Sequence, residues 1–137
     1  MYSKTTNKIN ITVKPIYLDD QSEPKEGHFV WAYKITINNT GEETVQLKNR
    51  YWKIIDSGGN TKEVKGPGVV GEQPVLKPGE KFEYTSGTPL STPSGFMHGY
   101  YEMVYVDGKN LMLKFQNFPL IALMLVIKFT KFKYERF

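Results

Sequence analysis

The chain has 137 residues, a formal net charge of +4 and no cysteine. That length suits one domain able to bury its own core, and the lack of cysteine excludes disulfides, thiolate metal centres and cysteine nucleophiles. Four cations, Lys128, Lys131, Lys133 and Arg136, crowd the last ten residues against Glu135 alone. The remainder is nearly neutral, so no nucleic-acid partner is expected.

Residues 1–8 are polar and lead into no apolar signal core, so they are expected to form a flexible N-terminus of a cytoplasmic protein. From Ile9 to Lys14 apolar and polar residues alternate strictly, the pattern of a strand with one buried face. Phe29 to Asn38 reads as a second strand, with Trp31, Tyr33, Ile35 and Ile37 on its core side. After a turn at Asn39-Thr40-Gly41-Glu42, Val45 to Asp56 reads as a third strand and Ser57-Gly58-Gly59-Asn60 as a hairpin turn. Lys62 to Lys65 returns briefly. Residues 66–74 (Gly-Pro-Gly-Val-Val-Gly-Glu-Gln-Pro) are too rich in Gly and Pro for a regular strand. Pro78 opens a tight turn, Phe82 to Thr88 and Gly95 to Val106 are strands, and Leu111 to Phe115 pairs back across Asp107-Gly108. About seven short strands with turns between them and no amphipathic helix predict an all-β antiparallel sandwich of the immunoglobulin or fibronectin type III kind.

Several motifs stand in one order: Arg50-Tyr51-Trp52, residues 66–74, Pro78-Gly79-Glu80, Tyr84-Thr85-Ser86-Gly87 and residues 97–103 (Met-His-Gly-Tyr-Tyr-Glu-Met). Together they resemble the ApaG family over residues 9–120. The resemblance implies a fibronectin type III-like β-sandwich and an association with cobalt and magnesium efflux. Related eukaryotic domains, in an F-box protein and a polymerase-interacting protein, look like protein-binding modules.

The spacing of Gly66, Gly68 and Gly71 matches that of dinucleotide-binding loops, where glycine amides approach a phosphate at a helix N-terminus. Here Glu72-Gln73-Pro74 blocks a following helix and no βαβ unit is visible. The glycines are therefore expected to carry the chain between sheets. A nucleotide or pyrophosphate held by an anion nest of loop amides is the alternative reading, with Arg50 and Lys65 beside it. Arg50, Tyr51 and the glycine loop are expected to border a surface for a protein partner or a small phosphate-containing ligand.

Direct metal binding has one candidate: Asp19 and Asp20, whose oxygens suit Mg²⁺, with His28 to suit Co²⁺. A solvated loop is the favoured reading there, and no cofactor is expected. Ser86-Gly87 lacks the nucleophile-elbow frame, and no carboxylate pair stands at a catalytic spacing, so a non-enzymatic module is expected. Neighbours on a strand face opposite ways, so one member each of Tyr51-Trp52 and Tyr100-Tyr101 must leave the core, toward a partner or an oligomer seam.

Residues 121–137 depart from the family's closing segment. Deleting one G from codons for Leu-Asp-Ser-Pro-Tyr-Ala yields Leu-Ile-Ala-Leu-Met-Leu, the sequence from Leu120 to Leu125, so a frame change is one expectation for this tail. Its apolar run is too short to span a membrane, and surface association is the other.

Overall fold

The computed structural model describes residues 1–121; the tail at 122–137, with its frame-change and membrane-surface readings, lies outside them. Nine strands are present among these residues: β1 (Tyr2–Thr6), β2 (Ile9–Tyr17), β3 (Phe29–Asn39), β4 (Val45–Asp56), β5 (Thr61–Pro67), β6 (Val75–Leu76), β7 (Lys81–Leu90), β8 (Ser94–Tyr105) and β9 (Asn110–Ile121). They form two antiparallel sheets, β1-β2-β3-β7 and β5-β4-β8-β9, with the short β6 added beside β4. Among the described residues the only helical turns are two 3₁₀ segments, Asp19–Gln21 and Pro24–Glu26.

Alternation places the core between the sheets. Trp31, Tyr33, Ile35 and Ile37 of β3 face Trp52 and Ile54 of β4 and Met97, Tyr101 and Met103 of β8. Two bulges change the phase of that alternation. The pairing of β4 with β8 shifts between Leu47 and Asn49, so the buried positions pass from Val45 and Leu47 to Trp52 and Ile54. The pairing of β8 with β9 shifts opposite His98, and burial in β9 passes from Leu113 and Phe115 to Phe118 and Leu120.

The strand count exceeds the seven expected by β1 and β6. Residues 1–8 differ from the flexible terminus the sequence suggested, because Tyr2–Thr6 pair with Ile9–Val13. Asn7 and Lys8 take φ of 46° and 64°, the left-handed corner of a two-residue hairpin turn. The Tyr2 ring then stacks on Phe118 at 5.1 Å, closing the β1–β9 side of the sandwich.

Between the sheets lies a set of tyrosines. Tyr84 of β7 and Tyr101 of β8 share a short hydrogen bond between their hydroxyls, a polar tie across the sandwich. Burial pushes the Tyr84 hydroxyl up to about 12, against the hydrogen bond from Tyr101, which lowers it. Burial first, then the neighbouring Tyr84, raises Tyr101 well above the usual range. Tyr33 is raised by burial, with Ser86 and the Arg50 charge opposing. The Trp52 indole N–H points toward this pair but has no hydrogen-bond partner of normal geometry.

Candidate functional site

The candidate residues of the glycine motif meet at one corner of the second sheet. Antiparallel pairing sets Arg50 opposite Gly66 and Tyr51 opposite Lys65. Trp52 is buried, so Tyr51, one residue away, faces outward and remains half-exposed. Arg50 turns the other way, toward the sandwich rim, where its Nη1 donates to the carbonyl oxygens of Gly68 at 2.6 Å and Pro67 at 3.3 Å. It is a clamp on the loop rather than the free cation expected beside it.

The loop itself is a tight, closed structure. The Gly68 amide donates to the Lys48 carbonyl at 2.8 Å, while Val69 and Glu72 exchange backbone hydrogen bonds of 2.8 and 2.9 Å. Val70 and Gly71 form the two corners between them, with φ of 50° and 77°, the type I′ pattern that favours Asn-Gly. Gly68 is required here: its φ is +63°, and a Cβ would lie 2.0 Å from the Glu72 carbonyl oxygen. Val69 is fully buried beneath the turn and Val70 is 67% exposed at its tip. The amides of Gly68, Val69 and Glu72 are thus committed within the chain. No helix starts from this loop and no parallel strands lie beneath it.

Register extends the outward face across four strands. Lys65, Tyr51, Tyr100 and Lys114 are successive partners in one row from β5 to β9. The rings of Tyr51 and Tyr100 stack at 5.2 Å with an interplanar angle of 27°. Tyr51 and Tyr100 are therefore the outward members of the two aromatic pairs, and Trp52 and Tyr101 the buried ones. Beside them an open hollow of about 750 Å³ is lined by Lys4, His98, Gly99, Lys114 and Phe115 as well as the two tyrosines. Lys4 and Lys114 escaped sequence reasoning because only the fold brings β1 and β9 to this place. His98 sits where the β9 bulge falls, a feature invisible before the register is known.

The proposed metal ligands do not assemble. Asp19 and Asp20 belong to the first 3₁₀ turn, and His28 is an exposed residue whose backbone bridges Glu23. Among the described residues no group of three or more His, Asp or Glu side chains is placed to hold a metal ion. His28 instead borders a separate cavity of about 340 Å³ with Asp56, Asn60, Lys62 and Ser91. The Asp56 carboxylate there accepts from the Ser91 hydroxyl at 2.6 Å, from the Asn60 side chain at 3.0 Å and from the Gly58 and Asn60 amides. Those bonds, Ser91 first, hold its carboxyl below the usual range. They occupy its oxygens in fixing the β4–β5 turn against the β7–β8 loop. No helix among the described residues is long and apolar enough to cross a membrane.

Comparison with known proteins agrees with this fold. The ApaG domain pattern matches residues 19–105. The chain is 59% identical to Protein ApaG of Parvibaculum lavamentivorans and 60% identical to that of Paramagnetospirillum magneticum, over 88% of this chain and 92% of each relative. Among solved structures it resembles an ApaA protein from Bordetella pertussis, with a TM-score of 0.80 and 43% identity over 82% of this chain and 92% of that one. The chain belongs to the ApaG family.

Proposed function

We propose that the domain is a non-catalytic binding module whose recognition surface is the β4–β5 corner: Tyr51, Lys65 and the loop from Gly66 to Gly71, held in shape by Arg50. The observation that carries this reading is Val70. A β-branched residue in the left-handed region costs about 1–2 kcal/mol, and glycine would avoid that cost. Val70 contributes nothing to the core, since it is the exposed tip of its turn. Strain held at an exposed position by a clamped loop is characteristic of recognition sites, and an apolar tip on a rigid support suits a pocket in a partner protein. Tyr51 supplies a broad amphipathic contact and Lys65 a charge that favours an acidic rim.

The cobalt and magnesium association that family resemblance implies is then carried through what the module binds, not through coordination by Asp19, Asp20 and His28. Affinity capture with the wild-type chain and with Tyr51→Ala and Lys65→Glu variants tests the reading. Proteins retained by the wild type are expected to be lost with both variants at unchanged melting temperature. Identical retention by all three chains contradicts it.

A further inference from the structure

The hollow beside the tyrosine stack has a chemistry of its own, distinct from that of the loop. We propose that it binds a small ligand made of a planar aromatic ring carrying a phosphate group. The proposal deepens the binding-module reading, resting on it for the idea that this sheet face recognises rather than reacts, and adds a second ligand class beside the loop.

Three features support it. The first is polar and positive: the ammonium groups of Lys4 from β1 and Lys114 from β9 and the imidazole of His98 from β8 line the hollow from three strands, and no carboxylate is among the lining residues. The second is aromatic. Tyr51 and Tyr100 stack on each other and remain half-exposed, offering ring surface to a planar group. Phe115, 7% exposed, borders the hollow but turns its ring to the core, where it stacks on Trp52 at 5.7 Å, so this part of β9 is firmly anchored. The third is backbone shape. A Cβ on Gly99 would lie 1.9 Å from the Tyr51 carbonyl oxygen, so β8 must pass this point without a side chain. The bulge in the β8–β9 pairing falls next to it, opposite His98. The volume of about 750 Å³ lies within the usual range for small-molecule sites. A ring would lie against the tyrosines with its phosphate between Lys4, Lys114 and His98. Simple phosphate would use only the cations, and an uncharged ring only the tyrosines, so both halves are needed for affinity.

Titration calorimetry of the full chain with AMP, flavin mononucleotide and pyridoxal phosphate, beside inorganic phosphate and adenosine, tests this. At least one ring-bearing phosphate is expected to bind at least tenfold more tightly than inorganic phosphate or adenosine. Tyr100→Ala is expected to weaken it about tenfold, as loss of one stacking partner does. Lys114→Gln and Lys4→Gln should each weaken it several-fold and flatten its salt dependence. If Tyr100→Ala lowers the melting temperature, the two lysine variants decide. Equal affinity for phosphate and ring-bearing phosphates, indifference to the lysine variants, or tighter binding of a single-stranded oligonucleotide than of any small ligand overturns the proposal. Absence of all such binding, with protein capture still sensitive to Tyr51→Ala and Lys65→Glu, overturns it while leaving the module reading in place.

Discussion

The Arg50 guanidinium donates to the Gly68 carbonyl oxygen at 2.6 Å, joining mid-strand β4 to a loop 18 residues further along the chain. Gly68 is buried, so this is a charge-assisted bond away from open water, of the stronger kind. Arg50→Ala is expected to destabilise the fold by about 2 kcal/mol, read as a lower urea midpoint at unchanged slope. Arg50→Lys should recover part of that loss, since both bonds leave the single nitrogen Nη1 and an ammonium on its shorter stem can replace them only incompletely. Hydrogen exchange at the Val69 and Glu72 amides should quicken in both variants.

The inter-sheet tyrosines predict behaviour at high pH. Tyr84 is raised to about 12, and Tyr33 and Tyr101 are raised with it. A raised folded-state value means the neutral form is favoured by folding. The stability this contributes is fully present below pH 10 and is lost as pH climbs toward 12. Of the nine tyrosines, those three are expected to ionise late, together with unfolding, in absorbance titration near 295 nm. Tyr84→Phe leaves the buried Tyr101 hydroxyl without its partner and should cost about 1–3 kcal/mol.

At the acidic end Asp56 sets the direction. Its carboxyl is held low by Ser91 and Asn60, so its contribution is present above the ordinary carboxylate value and is lost as pH falls through the depressed one. Ser91→Ala removes the first of those bonds. Melting temperatures between pH 2 and 6 should show the variant losing stability at a higher pH than the wild type.

Much of the fold was legible because the buried faces follow simple alternation. Val45 to Asp56 was bounded correctly from its flanking turns, and the inward set of β3 was read from Trp31 to Ile37. The polar strand β1 was missed because its stability comes from pairing and from the Tyr2–Phe118 stack, neither of which has a local signal; Asn7 at the turn was the one hint. The candidate site was legible as a neighbourhood and misread in its roles. Arg50 next to three glycines suggests an anion site by composition. Only the coordinates show its charge directed at carbonyls, and only the register of four strands brings Lys114 into line with Tyr51.

Val70→Gly offers the sharpest test, because folding and recognition should respond in opposite directions. Replacing Val70 relieves its left-handed strain, and even after the greater freedom of an unfolded glycine the net gain should be about 0.5–1 kcal/mol. Melting temperature and partner capture measured side by side on the wild type and this variant are expected to show a more stable chain that binds less. A more stable chain with undiminished capture would contradict the claim that the loop tip is the recognition surface.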